Sequence, residues 1–167
     1  MIANYRESLW KQFGASIDML TNAISAYPEH LWYNEKKFFY ISYHVAIFLD
    51  YYLTIPAAPL SSPLSFTLSE EIPADGLDDI VPDKIYSKGE ILNYLQASRE
   101  KCHALISDMT DSGFTQQWTE VDGNKVMPVF ELLLYNMRHV QHHAAQLNMI
   151  LRKDTGDAPQ WVRECKK

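Results

Sequence analysis

Between Pro128 and Arg152 the sequence holds its longest apolar-periodic run, which constrains the fold more than any other stretch. Val129, Leu132, Leu133, Asn136, His139, Val140, His143, Leu147 and Ile150 recur at three- and four-residue steps, giving a helix with one inward side. Pro128 suits its first turn, where a missing amide hydrogen costs nothing, and Gly156 and Pro159 end it. The run also carries three of the six histidines, His139, His142 and His143. At about 100° per residue, His139 and His143 stand about 40° apart around the helix and one turn apart along it. Two imidazoles so spaced can reach one metal ion, as in the two-histidine helical motif of zinc proteases. The glutamate of that motif is absent, because Val140 follows His139. Spacing alone leaves a second reading open, two half-buried polar residues on a helix.

Three more helices precede this one. Residues 4–26 place Leu9, Phe13, Ile17, Leu20 and Ile24 on one stripe, and Tyr27-Pro28 stops it. Pro28 to Trp32 reads as a short helical turn with an exposed loop histidine, His30. A second helix over about Phe38 to Ile55 is aromatic on most sides, which suits the middle of a bundle. His44 sits in its centre and needs either a hydrogen-bond partner or a metal. The third helix starts at Ser87, where Ser87-Lys88-Gly89-Glu90 fits a capping box. Its stripe runs from Ile91 to Met109, with Ser112-Gly113 just past its end and His103 at a solvated edge.

The connections differ in kind. Prolines 56, 59, 63, 73 and 82 rule out a continuous helix between Pro56 and Ser87, and so long a connection is usually functional or partly folded. Ser65 to Glu70 fits a short extended or helical piece. From Phe114 to Val126, Asp122-Gly123 marks a tight turn and a small hairpin. In the tail, Trp161 is expected to dock on the helices. The chain of 167 residues thus reads as one domain, residues 1–167, all-α, a four-helix bundle with a long crossover connection between helices two and three.

Charge and cysteine content exclude several classes. The net charge is −6, and apart from short pairs such as Lys166-Lys167 in the tail the sequence has no Lys/Arg cluster. Neither nucleic acid nor an anionic membrane is an expected partner. The most apolar stretch, Phe38 to Ile55, is broken by His44 and Asp50 and is no membrane span. The N-terminal residues show no signal-peptide pattern. Two cysteines, Cys102 and Cys165, make no disulfide framework and read as ordinary thiols, Cys102 in the core.

Metal sites in bundles are built from side chains on facing helices. His44 together with His139 and His143 meets that requirement if helices two and four are neighbours. Three neutral imidazoles leave a coordination position open for water or a thiolate, as in catalytic rather than structural sites. His142 points about 60° from His139 on the side away from His143, so it is the weaker chelating partner. Gln146 is a candidate for orienting a ligand or substrate, or a plain polar residue at the seam. Asp50 and Glu131 are candidates to orient a histidine or act as a base, or simply solvated helix residues.

A lone histidine in mid-helix two, followed by His139-Val140-Gln141-His142-His143-Ala144-Ala145-Gln146 in helix four, resembles the DinB-like superfamily. The resemblance spans Tyr5 to Val162, including helix order and the long second connection. It implies a four-helix bundle, commonly a cytoplasmic homodimer, with His44, His139 and His143 binding a divalent metal, zinc or nickel. It also implies a small-molecule substrate, with low-molecular-weight thiol transfer or thiol-dependent isomerisation as the activity. Relatives often carry Arg-Gly where this chain has Ala144-Ala145. A metal-dependent hydrolase and a non-enzymatic metal- or ligand-binding bundle acting through a protein partner are the alternatives.

Overall fold

The computed structural model describes residues 2–34 and 36–165; the Lys166-Lys167 pair noted above lies outside them. Most of the described chain is helical. Four long helices, α1 (Ile2–Ala26), α3 (Lys36–Tyr51), α4 (Lys88–Asp108) and α6 (Val129–Thr155), are joined by two short ones, α2 (Glu29–Trp32) and α5 (Asp111–Thr115). Two small antiparallel sheets accompany the helices; the second is the hairpin expected around Asp122-Gly123, and the first is a departure from the all-α expectation. Strand β1 (Phe66–Leu68) pairs with β2 (Ile80–Pro82), and β3 (Gln117–Thr119) with β4 (Val126–Pro128). Helix α1 packs on α4 and α6, and α3 packs on the same two.

Local chemistry sets most of the element ends. Ser87 Oγ accepts from the Glu90 amide, and Glu90 Oε2 accepts from the Ser87 amide at 2.7 Å, which closes the expected capping box. The Ser87 amide and Lys84 hold the Glu90 carboxyl down at about 2, so the cap stays charged across the ordinary pH range. Gly156 ends α6 at φ 83°, a left-handed conformation that suits glycine. Gly123 turns the β3–β4 hairpin at φ 77°. Helix α4 stops earlier than its stripe suggests: Thr110 Oγ1 accepts from the Gly113 amide and caps α5, so Ser112-Gly113 lies within a new helix.

Helix α3 ends at Tyr51, short of Ile55. Its last carbonyls find partners from outside, as helix ends require. Buried Asn136 on α6 donates Nδ2 to the Leu49 carbonyl at 3.0 Å. Lys101 on α4 donates Nζ to the Asp50 carbonyl and, at 2.7 Å, to its carboxylate. The aromatic side of α3 is core, with Phe38, Phe39 and Tyr43 almost fully buried. Tyr43 also anchors the connection to α4, donating its hydroxyl to the Leu64 carbonyl at 2.7 Å and stacking on Tyr86. The undecided piece at Ser65 to Glu70 is therefore extended, as β1.

The tail docks through a different residue than expected. Trp161 is 70% exposed, whereas Cys165 is buried. The Cys165 amide donates to the Lys11 carbonyl at 3.0 Å, and its sulfur approaches Gly14. A Cβ at position 14 would lie 2.5 Å from that sulfur, so only glycine admits the approach. Replacing Asn136 with alanine leaves the Leu49 carbonyl buried without a partner. Its expected cost is about 2 kcal/mol, read as a lower urea midpoint with unchanged m-value.

Candidate metal centre

Helix α3 brings His44 to the seam with α6, where His139 and His143 lie one turn apart. The three candidate ligand atoms lie within 4.8 Å of one another. His139 Nε2 stands 3.0 Å from His44 Nε2 and 3.0 Å from His143 Nε2. For nitrogen ligands at about 2.0–2.1 Å from a tetrahedral zinc ion, neighbouring nitrogens are about 3.3 Å apart. The two spacings from His139 are close to those around a shared ion.

The outer nitrogens fix which atoms face inward. His44 Nδ1 lies 2.5 Å from Asp78 Oδ2, and a carboxylate only accepts, so Nδ1 carries the hydrogen. His143 Nδ1 lies 2.8 Å from Gln146 Oε1 and likewise donates. In its neutral form, as metal ligation requires, each of these rings then turns an Nε2 lone pair inward. His139 Nε2 faces both lone pairs, while its Nδ1 is buried with no hydrogen-bond partner. The three side chains alone cannot satisfy this arrangement. If His139 carries its proton on Nε2, one hydrogen is shared between two acceptors and Nδ1 is left empty. With the proton on Nδ1, three lone pairs converge. A cation satisfies all three, so the donor set fits a divalent metal.

Burial first, and then the neighbouring His143 and His44, push His139 down to about 3. Burial and His44 push His143 down to about 4, with Gln146 opposing. Both rings are neutral at pH 7, as ligation demands. Phe48 packs at 4.8 Å from the His44 ring and Tyr52 at 6.3 Å from the His139 ring, forming an apolar wall on one side. An open cleft of roughly 550 Å³ runs along α6, lined by Tyr135, Arg138, His139, Gln141, His142 and Ala145.

The other candidates separate clearly. Gln146 is a partner of His143. His142 is exposed and lies outside the group, though its ring centre is 5.0 Å from that of His143. Asp50 is tied to Lys101 and Tyr94, and Glu131 is exposed on α6; neither has a hydrogen bond or ion pair to the histidines. Cys102 is buried, where desolvation raises its thiol pKa and keeps it inert. Sequence reasoning missed Asp78. It lies just before β2, and its Oδ1 accepts from the Ile80 amide at 3.0 Å. The sequence signal was an aspartate two residues before a strand, a local turn former, with nothing to connect it to His44.

Asp78→Asn is expected to weaken metal affinity by about 10–100-fold while the fold persists, measured by competition with a chromogenic chelator. Acid should destabilise the metal-free protein. Folded His139 and His143 titrate below the ordinary histidine value, so the unfolded chain binds more protons once pH falls below about 6.5. Their contribution is complete above that pH and is lost as pH falls towards 4 and 3. Urea midpoints measured from pH 7 to pH 4 should show this loss, with a shallower slope in His139→Phe.

The sequence profile of the DinB superfamily matches residues 29–147, which include His44, Asp78, His139, His143 and Gln146. No curated protein and no solved structure matches the chain. The length of the profile match shows that the chain belongs to the DinB superfamily.

Proposed function

We propose that this protein is a metal-dependent enzyme, in which His44, His139 and His143 hold a divalent metal, zinc or nickel, beside a cleft for a small substrate. The observation that carries this reading is the convergence of three Nε2 atoms, two of them on rings whose Nδ1 is committed elsewhere. A bound divalent metal would supply a Lewis acid that lowers the pKa of a thiol or water at its open position. The residues of the chain do the rest. Asp78 and Gln146 hold two rings in register. Phe48 and Tyr52 exclude water from one side, and the cleft beside His139 admits the substrate.

The reaction proposed is transfer of a low-molecular-weight thiol to a small electrophile. With chlorodinitrobenzene as acceptor, an S–C bond forms, the C–Cl bond breaks, chloride leaves and the thiol proton passes to solvent. The arrangement proposed for the chain is a single-domain four-helix bundle of α1, α3, α4 and α6, with residues 52–87 as its crossover, acting as a cytoplasmic homodimer.

Elemental mass spectrometry on untagged protein is the deciding measurement. About one metal per chain is expected in the wild type and a loss in both His44→Ala and His143→Ala. Absence of metal after incubation with zinc and nickel would overturn the reading. Metal without turnover, across a panel of thiols and electrophiles, would leave the site and remove the thiol transfer.

A further inference from the structure

The cleft beside the histidines has a charge pattern of its own. Its lining includes no carboxylate. Arg138 is exposed on it, and among the described residues no carboxylate lies within ion-pairing distance of its guanidinium. The contrast with other cations on the same molecule is direct: Arg99 is held by Asp18 at 2.8 Å and Lys101 by Asp50 at 2.7 Å. Lys125 adds a second positive charge behind the cleft wall. Its Nζ lies 5.2 Å from the centre of the Tyr135 ring, donates to the Tyr52 hydroxyl at 3.0 Å, and has its carboxylate partner Glu120 only at 3.9 Å. All this occurs in a chain of net charge −6, which repels anions everywhere that the local charge does not reverse the field.

We propose that this cleft is an anion-recognition subsite, in which Arg138 binds a carboxylate or phosphate carried by the substrate while Lys125 reinforces the field. The guanidinium presents a planar fork that matches two oxygens of either group, a match that a neutral substrate cannot use. The cleft volume of roughly 550 Å³ suits a small organic anion. His139 lines the same cleft and belongs to the histidine group, so a molecule anchored at Arg138 lies alongside the metal position. The inference rests on the proposed function for the meaning of that neighbour, but anion binding itself is measurable without it.

Calorimetric titrations of metal-free and zinc-loaded protein with succinate, inorganic phosphate and the neutral succinamide provide the test. Succinate or phosphate should bind about tenfold or more tightly than succinamide in both forms. Stronger succinate binding identifies a carboxylate substrate, and stronger phosphate binding a phosphorylated one. Arg138→Gln should abolish the discrimination, while Lys153→Gln, a change of equal charge in the last turn of α6, should keep it. Metal content should be unchanged in both variants. Equal binding of charged and neutral probes overturns the proposal. So does equal loss in the two variants, or binding that needs zinc and ignores Arg138→Gln. Lack of metal in the wild type overturns the proposed function instead and leaves anion binding to be read from the metal-free titration.

Discussion

The contact between α3 and α6 is the constraint on which the rest depends. Most of that seam is apolar, and apolar packing alone tolerates sliding and rotation. Two polar contacts remove this freedom. Asn136 takes the Leu49 carbonyl near the end of α3, and His139, one turn further along α6, meets His44. Buried polar groups are costly when mispaired, so a slip of one residue would strand an amide, a carbonyl and an imidazole together. The same contacts that fix the register also gather the three histidines. Stability and site geometry are therefore one problem in this protein.

What the sequence made legible was local. The capping box at Ser87, the turn at Gly123, the left-handed stop at Gly156 and the His139/His143 pair each depend on residues within a few positions of one another. Residues 29–32 form their helical turn because Pro28 starts it. What failed was long-range. Asp50 was a plausible orienter on the helix of His44, yet six residues further along it points to α4 and is taken by Lys101. Asp78 holds His44 only because the connection after α3 returns to it, and periodicity carries no information about such a return. Trp161 had the apolar area to dock, but the backbone of Cys165 and the gap at Gly14 decide where the tail lies.

The long connection between α3 and α4 thus has a definite role. Its sheet is short, and Leu68, Ile72 and Leu77 are exposed around it. It is held instead by a few directed contacts, Tyr43 to the Leu64 carbonyl, Tyr86 to Ser65 and Trp32 to the Tyr86 carbonyl. These position Asp78 behind His44. Helices supply the three imidazoles and a loop supplies the carboxylate that orients one of them, a division that keeps the inner geometry on rigid elements.

Charge accounts for the remaining asymmetry of the site. Burial keeps His139 and His143 neutral, and the Asp78 carboxylate stands behind His44 alone. Glu120, the other nearby carboxylate, faces Lys125 and the Tyr51 hydroxyl. Asp50 is held by Lys101 of α4. These three carboxylates are thus engaged away from Arg138, which is exposed on the cleft. A site built this way has positive charge to spare for an incoming anion, and the placement of the carboxylates matters as much to that bias as the cations themselves.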